Sequence, residues 1–135
     1  MFLFELNEHQ KKDFLDIAFH TMGINGEQKK SELEAFATYK TECQLPDHEP
    51  NTATDIDAIV QRLAKAPKIA RMVTLVELFS MALADGEYCD DERKFLTSLT
   101  KQLRLEDYEL KRIERWTRAF NDIISEGFQM IHKED

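Results

Sequence analysis

The sequence is poor in helix-breaking residues and in cysteine. It contains only 4 Gly, 3 Pro and 2 Cys among 135 residues. So few breakers favour long helices over turn-rich structure. The two cysteines, Cys43 and Cys89, are too few for a disulfide scaffold or a structural zinc site, which favours a reducing compartment. We therefore expect a cytoplasmic protein.

The chain also lacks long apolar runs and an excess of positive charge. The longest apolar stretch covers only residues 72–84 and contains Glu77 and Ser80, whereas a membrane span needs about 20 mostly apolar residues. The apolar start, residues 1–6, has neither the basic lead-in nor the cleavage site of a signal peptide. The net charge is −8, and such an acidic surface repels nucleic acid and anionic lipid. We expect neither nucleic-acid binding nor membrane insertion.

Apolar residues instead recur at three- and four-residue steps, and no window alternates convincingly like a strand. Asn7 and Thr54 are predicted N-caps, and Pro67 marks a further helix start. A helix at residues 29–43 is expected to bury either Leu33, Phe36 and Tyr39 or Ala37 and Cys43. We predict an all-α fold, a compact single domain over residues 1–135 with about six to seven helices and a polar connector at 46–53.

The two halves of the chain resemble each other at a shift of 60 residues. Residues 13–49 align with 73–109 without a gap. Eight pairs are identical: Leu15/Leu75, Phe19/Phe79, Gly26/Gly86, Glu27/Glu87, Glu32/Glu92, Leu45/Leu105, Asp47/Asp107 and Glu49/Glu109. This pattern indicates two pseudo-repeated helix-loop-helix halves. The helix after Pro67 is apolar nearly all round, so we expect it to be central.

The most distinctive segment is the acidic loop, residues 85–92, which holds five carboxylates. Ca²⁺ and Mg²⁺ prefer such oxygen ligands. The candidate metal ligands are Asp85, Asp90, Asp91 and Glu92. The loop does not fit an EF-hand, because placing Gly86 at loop position six puts Met81 and Leu83 where ligands are needed. Helix capping is the alternative interpretation, since a first turn favours acids and Glu92 can complete a capping box.

The loop and its flanks resemble the signature of the TerB-like tellurite-resistance family. An apolar helix ends in Ala84-Asp85-Gly86, and the acidic pair Asp91-Glu92 soon opens the next helix. The resemblance is close over residues 76–105 and looser over 7–128. It implies a duplicated all-helical fold, and it carries the family's acidic-loop positions over to Asp85, Gly86 and Glu92.

Two departures from the family pattern concern the acidic loop and its counterpart. Cys89 stands where Ser, Thr or Asp usually caps a helix, and Asn25 replaces Asp in the first half, which puts a two-site metal scheme in doubt. The resemblance implies a non-enzymatic cytoplasmic domain in stress or metal-oxyanion resistance, or an acidic interaction module.

The last helix carries the one local excess of positive charge, and Lys111, Arg115 and Arg118 share a face. This face is the candidate site for a protein partner, the alternative being a solvated surface with intrahelical ion pairs. Trp116 on the same helix is expected to lie in the core. The apolar residues of this helix serve either the core or a dimer, so the oligomeric state stays open.

The sequence shows no arrangement of residues that requires catalysis. The histidines are scattered without the carboxylate spacing of a di-iron bundle, and no nucleophile elbow, phosphate loop or dinucleotide fingerprint occurs. The first hypothesis is a non-enzymatic protein-interaction module that requires no cofactor. The alternative is a protein that binds divalent cations, Ca²⁺ or Mg²⁺, through the acidic loop.

Overall fold

The computed structural model describes residues 1–24, 30–50, 55–84 and 88–133. Within these ranges the chain forms helices and no strand, which confirms the all-α prediction. A short 3-10 helix at Leu3–Glu5 precedes six α-helices: α1 Glu8–Met22, α2 Lys30–Glu42, α3 Ile56–Ala64, α4 Lys68–Ala82, α5 Asp90–Gln102 and α6 Asp107–Ile131.

Side-chain caps set the starts of α1 and α3. The Asn7 side chain accepts from the Gln10 amide, and the Asn7 amide donates back to the Gln10 side chain, both at 2.9 Å. This reciprocal pair confirms the first predicted cap. The carboxylate of Asp55 accepts from the amide of Asp57 at 3.0 Å and caps α3. The predicted cap, Thr54, lies outside the described residues.

Helix α4 lies at the centre of the fold, as predicted. It contacts the 3-10 helix and all five other α-helices, and Leu75, Leu78 and Met81 are fully buried. Polar contacts reinforce this position. The Tyr39 hydroxyl donates to the Glu77 carbonyl at 2.7 Å, and the Phe2 amide donates to the Glu77 carboxylate at 2.8 Å.

The buried side of α2 differs in part from the prediction. Phe36, Tyr39 and Cys43 are buried, but Leu33 is exposed. The buried arc runs through Glu32 and these three residues at steps of four, three and four, so Leu33 lies at its edge. An acidic residue therefore occupies the core-facing position next to the leucine.

The two halves of the chain repeat the same helix bounds at a shift of 60 residues. Glu8–Met22 corresponds to Lys68–Ala82, and Lys30–Glu42 corresponds to Asp90–Gln102. The α1–α2 and α4–α5 hairpins thus place equivalent residues at equivalent points of their helices. This regularity extends the sequence relation to backbone geometry.

The ends of α2 and α5 share an unusual backbone conformation. Gln44 and Arg104 both have a φ of 60°, in the left-handed region that L side chains rarely adopt. The following amides, of Leu45 and Leu105, donate to carbonyls five residues earlier at 2.9 and 3.0 Å. Both helices therefore end in the left-handed turn that usually carries glycine.

Only the first part of α6 packs on the rest of the fold. Ile113 and Thr117 are buried, and the Asn121 side chain donates to the Leu83 carbonyl at 3.0 Å. Beyond Asn121 the side chains are exposed through residue 133, apart from Gly127. The helix therefore projects from the bundle for its last two to three turns.

The predicted burial of Trp116 is wrong. This side chain is 40% exposed, and its ring stacks on Phe120 with centroids 5.4 Å apart. Ile113 and Thr117 take the core-facing positions instead, because they lie on the side of α6 that meets α4 and α5.

The left-handed turn at Gln44 generates a stability prediction. Gln44→Gly removes the strain of a side chain at positive φ, so we expect the free energy of unfolding to rise by about 0.5–1 kcal/mol. Gln61→Gly is the matched control within α3, and it should lower stability by about the same amount. Urea denaturation of both variants measures the difference. An equal loss in the two variants would contradict the strained-turn account.

Candidate functional site

The described part of the acidic loop is organised by helix capping. Cys89 is the N-cap of α5, and its sulfur accepts from the Glu92 amide at 3.4 Å. The Glu92 carboxylate accepts from the Cys89 amide at 3.4 Å and from its thiol at 3.3 Å. Glu92 is only 2% exposed. The carboxylate thus occupies the third helical position of a capping box, as the capping interpretation predicts.

The remaining candidate metal ligands are not gathered around Glu92 within the described residues. Asp90 and Asp91 are exposed in the first turn of α5, where the helix dipole favours acidic residues. Asp85 lies outside the described residues. Across residues 1–24, 30–50, 55–84 and 88–133, no group of three His, Cys, Asp or Glu side chains could hold a metal ion. A cation site in the loop would therefore need ligands that lie outside the described residues.

Tyr88 joins the end of the acidic loop to α6. Its hydroxyl donates to the Glu114 carboxylate at 3.1 Å. Its ring lies near two guanidinium groups, with the Arg93 and Arg118 carbons 5.2 and 5.9 Å from the ring centroid. Burial, followed by the hydrogen bond to Glu114, raises the pKa of Tyr88. The ring therefore stays neutral at physiological pH and presents its face to cations.

The three predicted partner-binding residues lie together on α6. Lys111, Arg115 and Arg118 line one open recess of about 510 Å³, together with Glu114, Ala119 and Asp122. All six residues come from one helix, so the recess is a surface rather than an enclosed chamber. Lys111 and Arg115 are exposed, while Arg118 also pairs with Glu114 at 3.4 Å. We call Lys111, Arg115 and Arg118 the basic face of α6.

The contact between Tyr88 and α6 was missed by sequence reasoning. Tyr88 and Glu114 are 26 residues apart on different elements. No periodicity joins them, because the contact depends on how the α4–α5 hairpin packs against α6. The only available signal was the position of Tyr88, an aromatic side chain at the edge of a charged loop. The structure thus places the basic face beside Tyr88, in the described part of the acidic loop.

Cys43 and His48 both make contacts that stabilise the fold. Cys43 is 2% exposed, and burial raises the pKa of its thiol to about 11. It is therefore protonated at neutral pH and unsuited to act as a nucleophile. The His48 ring lies 2.9 Å from the Asp16 carboxylate and ties the segment after α2 to α1.

Comparison with protein families identifies a match over most of the chain. The family model of tellurite resistance protein TerB matches residues 5–115, which include both helical hairpins and the first part of α6. The search of curated proteins and the search of solved structures found no match. Among the described residues, every helix is too short or too polar to cross a membrane.

Proposed function

The chain belongs to the TerB family of tellurite resistance proteins, and on that basis we propose that it acts as a non-enzymatic protein-interaction module. Its place of action is the cytoplasm, and its role lies in stress or tellurite and metal-oxyanion resistance. The observation that carries the proposal is the basic face of α6, where Lys111, Arg115 and Arg118 line one open surface. The partner is a protein with an acidic surface.

The charges of the basic face support this assignment. Among the described residues, no ion pair within 4 Å involves Lys111 or Arg115. The whole chain carries a net charge of −8, so an acidic partner is repelled over most of the surface and attracted here. This contrast orients the partner before contact.

The surroundings of the basic face favour binding over catalysis. An open recess on one helix does not exclude water, whereas most active sites close around their substrate. The Cys43 thiol lies in the core with a pKa of about 11, far from the form that reacts. Both features support a role without turnover.

Charge reversal on the basic face tests the interaction proposal. We expect Lys111→Glu/Arg115→Glu to weaken binding of a fluorescein-labelled oligoglutamate peptide by about tenfold or more, since each charge that attracted the peptide now repels it. Fluorescence anisotropy measures the affinity, and added salt should weaken binding to the unaltered chain. Lys65→Glu/Lys94→Glu is the control, because it changes the net charge equally on exposed residues elsewhere. Equal affinity loss in the two variants, with helix content unchanged, would contradict a dedicated binding face.

The alternative function is binding of a divalent cation, Ca²⁺ or Mg²⁺, through the acidic loop. The concentration of carboxylates at residues 85–92 favours it. Asp90, Asp91 and the capping carboxylate of Glu92 lie among the described residues. Within that part of the chain, however, no three His, Cys, Asp or Glu side chains are arranged so that they could hold a metal ion. This alternative therefore depends on Asp85 and Glu87 completing the set.

Thermal unfolding of EDTA-stripped protein separates the two functions. A cation site at about 100 times its dissociation constant adds about 2.7 kcal/mol of stability, and Asp85→Asn/Glu92→Gln should abolish that gain. The capping interpretation expects no cation-dependent gain and a loss of about 1 kcal/mol in the variant. Asp47→Asn/Glu49→Gln removes two exposed carboxylates outside the loop and serves as control. A gain from Ca²⁺ or Mg²⁺ that only the loop variant loses would favour cation binding over the interaction role.

A further inference from the structure

The projecting end of α6 is apolar on one side. Ile123 is 64% exposed and Phe128 58% exposed, and neither has a bundle surface to pack on. We define the apolar stripe of α6 as the residues that share this side: Trp116, Phe120, Ile123, Ile124, Gly127, Phe128 and Ile131. Steps of three and four residues keep them on one face over about 22 Å of helix. An exposed apolar surface of this continuity marks an interaction site.

Gly127 lies in the middle of the stripe and permits close packing. A glycine inside a helix lowers stability by roughly 0.5–1 kcal/mol relative to alanine. Among the described residues, nothing lies within 4 Å of the position its Cβ would take. The space beside Gly127 is therefore open in one copy of the described chain, which leaves room for a second helix to approach closely.

The distribution of charge along α6 indicates which helix packs beside it. Two exposed charges flank the same edge of the apolar stripe, with Arg112 before the middle of the helix and Glu126 after it. An antiparallel second copy brings Glu126 of one α6 near Arg112 of the other. A parallel copy brings like charges together. The acidic second half also disfavours an anionic lipid surface, which attracts helices rich in Lys and Arg.

The first half of α6 offers a place for the partner helix. A groove of about 260 Å³ runs between α4 and α6, and its apolar lining includes Met72, Val76, Ile113 and Trp116. This groove continues the apolar stripe from Trp116 toward the exposed Ile69. The groove is also lined by the ion pair of Lys68 with Glu109 and by Arg112, so the projecting half of a second α6 meets apolar side chains with charged groups at their edge.

We propose that the chain forms a two-fold symmetric dimer in which the two α6 helices pair antiparallel through their apolar stripes. The stripe of each copy covers the groove of the other, so the same surface serves both subunits. Phe120 and Ile123 lie next to the symmetry axis, and Gly127 lies opposite Trp116 of the second copy. This interface uses the side of α6 opposite the basic face, and it goes beyond the proposed function.

Sedimentation equilibrium of the full chain tests the dimer. The expected mass is twice 15.8 kDa at micromolar concentration. Ile123→Glu should raise the dimer dissociation constant at least tenfold while helix content by circular dichroism stays unchanged. Ser125→Glu adds the same charge on the other side of the helix and should leave the mass at that of the dimer. A monomeric chain at all concentrations, or equal dissociation by both variants, would overturn the proposal.

Oxidative cross-linking tests the antiparallel orientation. In a background of Cys43→Ala and Cys89→Ser, Ile123→Cys should form a covalent dimer because its two copies lie near the axis. Met130→Cys should not, since an antiparallel pair separates its two copies by about 25 Å. The reverse pattern would show a parallel pair and overturn the proposal. Sedimentation of a monomeric chain with phosphatidylglycerol vesicles would identify a lipid surface as the occupant of the stripe and overturn it equally.

Discussion

Burial of most of α4 is the constraint on which the rest of this fold depends. An apolar helix with fully buried Leu75, Leu78 and Met81 must be surrounded, and the 3-10 helix and the other five α-helices do this. The α1–α2 hairpin packs on α4. Its two helices have the bounds of α4 and α5 shifted by 60 residues. Once α4 is covered, only the first half of α6 is needed against it. The second half remains outside the bundle.

The molecule thus consists of a packed helical bundle and the projecting end of α6. Within the bundle, the Cys43 thiol is buried in the core and the His48 ring pairs with the Asp16 carboxylate. On α6 the charged and apolar sides are both exposed to solvent. Tyr88 connects the charged side to the acidic loop through Glu114.

Much of the fold could be predicted from the sequence because local chemistry determines it. The Asn7 cap, the Cys89 and Glu92 capping box, and the central α4 all follow from residue type and spacing. Periodicity also identified an apolar side on α6, but it does not say what covers that side. For this reason the apolar pattern predicts Trp116 in the core, although it is partly exposed and packs on Phe120.

The candidate site was predictable to a smaller extent. Lys111, Arg115 and Arg118 share a helix face because their spacing requires it, and the structure places them on one recess. The contact of Tyr88 with Glu114 depends on the packing of two elements, which spacing along the chain does not encode. The apolar pattern likewise predicts that Leu33 lies on the buried side of α2, whereas the structure buries Glu32 there and leaves Leu33 exposed.

The central claim is that α6 is the binding element of this protein and that its projecting half is covered by a second copy. Hydrogen–deuterium exchange of the amides in residues 122–131, measured across protein concentration, tests this claim most directly. The account predicts slow exchange at high concentration and faster exchange on dilution, while the amides of α4 stay protected throughout. Fast exchange of residues 122–131 at every concentration would contradict it, because an uncovered helix end frays in water.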